Sequence, residues 1–156
     1  SPVSVSLVAL PETTPTSLYG LFEILSAVGS VWSELTGQQV HPVRPIRPQI
    51  VATTRDPFTC AVGVPVAPHR AFAEVDTTDV VVVTDLAIPI DQDPRGRWPE
   101  AAGFLRDRAA QGATICSVCT GAVLLAEAGL LDGHEATSHW STTGLFGEFY
   151  PGVRLR

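Results

Sequence analysis

The sequence has no methionine and no lysine, and aromatic residues make up only 7% of its 156 positions. Its ten basic residues are therefore all arginines, scattered along a chain whose formal net charge is −6. DNA-binding domains usually concentrate their basic residues on one face. We therefore do not expect residues 1–156 themselves to contact nucleic acid.

Other chemical classes are also poorly represented. Three cysteines, Cys60, Cys116 and Cys119, are too few for a disulfide framework, so reduced thiols in the cytoplasm are the simpler interpretation. No apolar run approaches the ~20 residues of a membrane span, and the N-terminus shows no secretion signal. No paired ligands have the spacing of a zinc site. We expect a cytoplasmic protein with no membrane segment, metal or cofactor.

The composition that remains is that of a folded domain. Apolar residues make up 45% of the chain and charged residues 17%, which favours a globule with a substantial core over disorder. A chain of this length fits one domain, and we assign residues 1–156 to it.

The apolar pattern predicts strands that alternate with helices. Val80–Thr84 lacks polar alternation, as is typical of a parallel strand that is covered on both faces. The alternation predicts an α/β fold with a mostly parallel sheet. Val153–Arg156 looks like the start of another strand, so we expect the domain to continue beyond Arg156. The other predicted strands are Val3–Leu10, Ile50–Thr53, Thr59–Val64 and Ala113–Val118, and the predicted helices are Leu18–Leu35, Glu100–Ala110, Thr120–Ala128 and Ser141–Phe149.

The densest chemical signal is a cysteine between a predicted strand and a predicted helix. The apolar strand runs into Cys119, and the helix begins at once with Thr120 and Gly121. A tight turn of this kind lifts the middle side chain out of the backbone, as in the nucleophile elbow of hydrolases. The start of the helix adds free N–H groups beside the sulfur, which is an environment that can activate a cysteine.

His139 is the candidate partner of this cysteine. A histidine that returns to the elbow can act as the base of a Cys–His pair, although a packed or hydrogen-bonded role suits an isolated histidine as well. Cys116 and Cys119 also form a C-x-x-C pair. Thioredoxin-like chemistry needs both sulfurs near the start of the helix, whereas Cys116 is expected to lie inside the buried strand.

The segment from Cys119 to Gly133, followed by Ala136–Trp140, resembles the signature of the ThiJ/PfpI family. The resemblance is greatest to the members that precede AraC-type helix-turn-helix domains, and isonitrile hydratases share much of it. It implies a class I glutamine-amidotransferase-like, flavodoxin-like three-layer sandwich that is often dimeric. It also implies that DNA is contacted only through a helix-turn-helix domain beyond residue 156.

Two positions depart from the catalytic members that the sequence resembles. Those members carry an acid at the start of the first helix, where this chain has Ser17, and a serine cannot replace a carboxylate as an acid or base. Glu12 lies in the same loop but in the wrong register. Catalytic relatives also commonly have a Gly-Gly pair after the Val80–Thr84 strand, which leaves N–H groups free to bind an oxyanion. This chain has Asp85 and Leu86 there.

These features lead to three hypotheses. The first is a regulatory domain whose small-molecule effector binds in a cleft at the carboxyl ends of the strands. The second is a cysteine-dependent hydratase, hydrolase or lyase with Cys119 as its nucleophile. The third, compatible with the first, is a redox sensor that uses oxidation of Cys119. The residues expected to line the effector cleft are Ser17, Cys119, Thr120 and His139.

Overall fold

A parallel sheet organises the chain, which a computed structural model describes over residues 1–39 and 44–156. This described part contains nine strands and five α-helices. The strands are β1 (Val3–Val8), β2 (Ile46–Ala52), β3 (Phe58–Thr59), β4 (Pro65–Val66), β5 (Arg70–Ala71), β6 (Val80–Val83), β7 (Thr114–Ser117), β8 (Glu135–Ala136) and β9 (Arg154–Leu155). The helices are α1 (Pro15–Ala27), α2 (Val31–Thr36), α3 (Pro99–Ala110), α4 (Ala122–Glu127) and α5 (Thr143–Phe149).

The central sheet has the strand order β5-β2-β1-β6-β7, and each neighbouring pair is parallel. The carboxyl ends of β1, β6 and β7 therefore meet at one edge, where Val8 pairs with Val83 and Val83 pairs with Ser117. A ligand in an open α/β sheet usually binds at such an edge. Outside this sheet, β3 pairs with β4 and β8 with β9.

Apolar side chains cover the two faces of the sheet separately. One face carries Leu7 and Ile50, which pack with Leu18 of α1. The other carries Val81 and Val83, which pack in one cluster with residues of α3, α4 and α5. Helices on both faces make a three-layer, flavodoxin-like sandwich, so the predicted fold class is confirmed. No described helix combines the length and the hydropathy that crossing a bilayer requires.

The prediction of one helix over Leu18–Leu35 is wrong. The chain forms α1 and α2 and breaks between them at Gly29, whose φ is +79°. A Cβ on Gly29 would lie 2.9 Å from the Cδ of Pro45, so a distant part of the chain also requires glycine there. The first helix begins at Pro15, earlier than predicted, because proline is favourable in the first turn.

Two further predictions need correction. Thr59–Val64 was expected to be a strand, but only Thr59 belongs to one, and a 3₁₀ turn over Ala61–Gly63 follows. The strand at Ala113–Val118 was expected to be buried. It is present as β7, but its residues are exposed or half-buried, since β7 lies at the edge of the described sheet. The predicted final strand is present as β9, parallel to β8.

Candidate functional site at the carboxyl edge of the sheet

Cys119 is separated from β7 by Val118 alone and starts a 3₁₀ turn, Cys119–Gly121, that leads into α4. Its φ is +54°, in the left-handed region that non-glycine residues rarely adopt, and its thiol is exposed. The turn between strand and helix thus has the strained, outward-pointing geometry of a nucleophile elbow. Val118 and Trp140 add exposed apolar surface, with Trp140 80% exposed.

Gly121 allows the elbow to lie against β6. A Cβ at this position would lie 2.4 Å from the carbonyl oxygen of Val83 and 2.6 Å from that of Thr84. Both neighbours are backbone atoms, which cannot move aside as a flexible side chain can. The glycine two residues after the cysteine therefore fixes how closely the elbow approaches the end of the neighbouring strand.

Thr120 connects the elbow to the loop after β6. Its hydroxyl accepts a hydrogen bond from the N–H of Leu86 at 2.7 Å and donates one to the carbonyl oxygen of Leu86 at 2.8 Å. A hydroxyl that already donates one hydrogen bond and accepts another within the protein has little remaining capacity to bond a ligand. The contacts assign Thr120 a structural role, in addition to its predicted place in the ligand cleft.

The loops after β1 and β6 are joined in the same way. Thr13 and Leu86 form an isolated antiparallel bridge, and the N–H of Ala87 donates to the carbonyl oxygen of Glu12 at 2.7 Å. Thr14 donates its hydroxyl to the carboxylate of Asp85 and its N–H to the carbonyl oxygen of Asp85. Asp85 therefore holds the start of α1 and does not project as a free charge.

His139 is half-buried and is held by its own neighbours. Its Nδ1 accepts the N–H of Ser141 at 3.3 Å and lies 2.7 Å from the hydroxyl oxygen of Ser141. The imidazole also packs at a tilt against Trp140, with their ring centroids 5.2 Å apart.

A side-chain hydrogen bond joins the histidine segment to the elbow. The hydroxyl of Ser138 donates to the carbonyl oxygen of Cys119 at 3.2 Å. Within residues 1–39 and 44–156, no hydrogen bond joins the Cys119 sulfur to His139, and none links the half-buried Ser17 to Cys119. The described side chains also include no group of three or more His, Cys, Asp or Glu that could hold a metal ion.

Sequence reasoning missed two residues that line a pocket beside the loop after β1. Trp98, directly before α3, is only 4% exposed, and its indole nitrogen is buried with no hydrogen-bond partner. Oε2 of Glu12 is likewise buried without a partner, although the sequence set Glu12 aside on register. The only signal for Trp98 was its position before Pro99, which can begin a helix. Nothing in the sequence indicated that its N–H would be buried.

The sandwich, with an exposed cysteine in a left-handed turn after the parallel strand β7, defines a flavodoxin-like domain with a cysteine elbow. A model described as the DJ-1/PfpI family matches residues 38–148. The chain therefore belongs to the DJ-1/PfpI family.

Individual relatives include both an enzyme and regulators. The isonitrile hydratase of Pseudomonas putida is 27% identical over 141 residues, which cover 89% of this chain and 53% of that enzyme. The HTH-type transcriptional regulator CdhR of Pseudomonas aeruginosa is 43% identical over 61 residues, covering 39% of this chain and 18% of that protein. The chain thus spans about half of the first relative and less than a fifth of the second.

A solved structure confirms the fold. The AraC family transcriptional regulator from Pseudomonas putida superimposes with a TM-score of 0.73 over 99% of this chain and 76% of that one. The two sequences are 20% identical, so the likeness shows the shared sandwich architecture.

Proposed function

We propose that this chain is the ligand-sensing domain of an AraC-type transcription regulator. A small-molecule effector binds at the carboxyl edge of the sheet beside Cys119, in a cleft bordered by Ser17, Thr120 and His139. Binding shifts a conformational or homodimer equilibrium in the cytoplasm, and a helix-turn-helix domain beyond Arg156 converts that shift into altered DNA binding.

The observation that carries the proposal is the state of the loop after β6. The N–H groups of Leu86, Ala87 and Ile88 all donate within the protein, to Thr120, Glu12 and Leu86 respectively. An oxyanion hole needs donors that are free until charge develops on the substrate. Engaged donors in this loop, together with Ser17 at the position of the acid, favour binding over catalysis.

The relatives support the same function. CdhR matches 61 residues of this chain at 43% identity, and isonitrile hydratase matches 141 residues at 27%. A local match to a regulator does not by itself assign regulation, but it agrees with the loss of catalytic features at two independent positions.

The direct test is to read the gene downstream of the codon for Arg156. We expect about 30–40 residues that close the sheet, followed by two helix-turn-helix units rich in arginine. With the encoded full-length protein, effectors can then be screened by thermal shift, since a ligand that binds the folded state raises Tm. A reading frame that stops soon after the sheet closes would contradict the regulator.

A cysteine-dependent enzyme is the second candidate, favoured by the exposed thiol of Cys119 at φ +54° and by the match to isonitrile hydratase over 89% of the chain. Its test compares turnover of isonitriles, 2-oxoaldehydes and amides by the wild type and by Cys119→Ala. Turnover that disappears in the variant would establish the enzyme. Equal background rates in both proteins would exclude it for these substrate classes.

A further inference from the structure

The helix α2 lacks the packing that normally stabilises a helix. It has six residues, Val31–Thr36, and none of them is buried against the part of the chain that the structure describes. Ser30 at its start provides no side-chain cap, while Gly37 ends it in the left-handed conformation with φ +68°. A helix this short is marginal in water, and in proteins the burial of an apolar face supplies most of its stability. A surface outside the described residues is therefore needed to stabilise α2.

The exposed side of α2 is apolar. Val31, Trp32 and Leu35 have the spacing that places them on one side of a helix, and Trp32 is 72% and Leu35 79% exposed. The preceding residues add Ile24 in the last turn of α1, which is 64% exposed, and Val28 four residues later. We call these five residues the α2 face.

The α2 face is large enough for one side of a stable protein interface. The exposed fractions of its five residues correspond to apolar surface on the order of 600 Å². The largest apolar patch on a typical monomer covers about 300–600 Å². A standard interface buries about 800 Å² per partner, of which just over half is apolar. The α2 face alone therefore supplies the apolar area that one partner of a standard interface contributes.

The charge of the chain favours a second copy as the occupant. Two copies of a chain with net charge −6 repel each other wherever their charged surfaces meet. Between Ile24 and Thr36, Glu34 is the only charged residue, so this segment offers a surface over which two copies can approach closely. An apolar helix face also matches a copy of itself, because a two-fold axis brings the same patch of both subunits together.

A domain beyond Arg156 is the other occupant to consider. It would follow β9, and Val153 and Leu155 pack in the apolar cluster on one face of the sheet. Leu18 of α1, the helix that leads into α2, packs in the cluster on the opposite face. A helix-turn-helix domain after β9 would thus begin on the far side of the sheet from α1.

We propose that the α2 face is the dimer interface of this protein, with the faces of two copies packed against each other across a two-fold axis. The interface goes beyond the proposed function, because it involves neither Cys119 nor His139 and stands whether the domain is a regulator or an enzyme. It also gives a location to the homodimer that the proposed function invokes.

Sedimentation equilibrium of the protein encoded by the complete gene tests the interface. We expect the wild type to form a dimer with a Kd of about 1 µM or tighter, as interfaces of standard size do. Trp32→Glu should raise that Kd at least about 100-fold, since it removes a buried aromatic side chain from both copies. Trp140→Glu is the matched control. Trp140 is 80% exposed and lies in the turn after His139, so this variant should dimerise like the wild type.

Two further variants separate a lost interface from a lost fold. Glutamate is a good helix former and is favourable in the first turn of a helix, where Trp32 lies, so Trp32→Glu should keep the circular dichroism of the wild type. Trp32→Phe keeps an apolar side chain and should remain a dimer. In Trp140→Phe, Trp32 is the only exposed tryptophan, because Trp98 is buried. Acrylamide should quench its fluorescence less at concentrations where the protein is dimeric than at concentrations where it is monomeric.

Three results would overturn the proposal. A wild type that stays monomeric at about 100 µM, far above the expected Kd, would mean that no second copy covers the α2 face. Equal dimerisation of Trp32→Glu and wild type would place the interface elsewhere, as would quenching of Trp32 that does not depend on concentration. None of these results bears on whether a helix-turn-helix domain is encoded downstream, so failure of the interface and failure of the regulator are distinguishable.

Discussion

Replacing Gly121 by alanine tests whether the cysteine elbow is held against β6. The added Cβ would lie 2.4 Å and 2.6 Å from two backbone carbonyl oxygens, whereas ordinary contacts lie at 3.4–4 Å. Gly121 has φ −57°, so alanine can adopt its backbone conformation and the predicted effect is purely steric. The elbow and the end of β6 must therefore separate by about an ångström to admit one methyl group.

The steric cost should exceed the gain in helix propensity. Inserting a methyl group into a packed region costs about 1–3 kcal/mol, whereas glycine to alanine in a compatible conformation gains about 0.4–1 kcal/mol. We expect a net loss of roughly 1–2 kcal/mol in the free energy of unfolding, or about 2–8 °C in Tm for a domain of this size. The displaced segment also carries Cys119, so the rate of alkylation of Cys119 should change.

Gly103→Ala is the matched control. Gly103 lies inside α3, and a Cβ there would meet no atom within 4 Å. Only the favourable effect of replacing glycine by alanine in a helix remains, so urea denaturation should show this variant to be more stable than the wild type by about 0.4–1 kcal/mol. Neutral surface changes alter the free energy of unfolding by no more than about 0.5 kcal/mol. If the free energy of unfolding of Gly121→Ala lies within that range of the wild type, the elbow does not approach β6 as closely as described.

Three other predictions follow from single contacts. Thr120→Val should lower the free energy of unfolding by about 1–3 kcal/mol in urea titrations, because it leaves the N–H of Leu86 without its acceptor. Thr120→Ser keeps the hydroxyl and should retain most of the stability. Similar losses in both variants would argue against the hydroxyl contacts. The N–H and hydroxyl of Ser4 hold the pKa of Asp79 below its usual range, so its contribution to stability is present above the ordinary carboxyl pKa and is lost as the pH falls through the lowered one. Asp79→Asn should therefore flatten the acid limb of a stability-against-pH curve, and an unchanged limb would contradict this. Iodoacetamide followed by mass spectrometry should modify the exposed Cys119 well before Cys60, whose burial raises its pKa, and faster labelling of Cys60 would contradict the described burial.

The fold was predictable where local pattern and tertiary structure agree. Val80–Thr84 has the continuous apolar pattern of a buried parallel strand because apolar clusters cover both faces of the sheet at β6. The turn at Cys119 was predictable for a similar reason, since an apolar strand followed at once by small residues leaves few backbone solutions. Cys119 takes φ +54° in that turn.

The errors arose where a distant contact decides the local conformation. The apolar spacing of a helix continues from Leu18 to Leu35 through Gly29, but Pro45 packs against Gly29, which turns the chain with φ +79°. At Thr59–Val64 the apolar composition suggested a strand, yet Val62 has φ +55° and the N–H of Ala61 donates to the carbonyl oxygen of the distant Thr13. Neither contact can be predicted from the spacing of residues in the sequence.

The residues of the candidate site also differ in whether local sequence could identify them. Cys119 and His139 could be selected from the sequence because their residue types carry chemistry, and they stay predictions as ligand or catalytic groups. Glu12 and Trp98 could not be selected, since their distinction is the burial of one oxygen and one nitrogen without partners. Burial of this kind results from the packing of three separate segments, which no local pattern describes.

The hydrogen bonds of the β6 loop also set how much catalysis Cys119 can support. An oxyanion hole at a nucleophile elbow combines the N–H of the residue after the nucleophile with an N–H from a neighbouring strand–helix loop. Here the first of these would come from Thr120, whereas Leu86, Ala87 and Ile88 of the loop after β6 have their N–H groups engaged. Removing one oxyanion donor typically lowers kcat by about 10²–10³. Rapid Cys119-dependent turnover would therefore require the loop after β6 to release Thr120 when substrate binds, and hydrogen exchange at Leu86 would reveal that release.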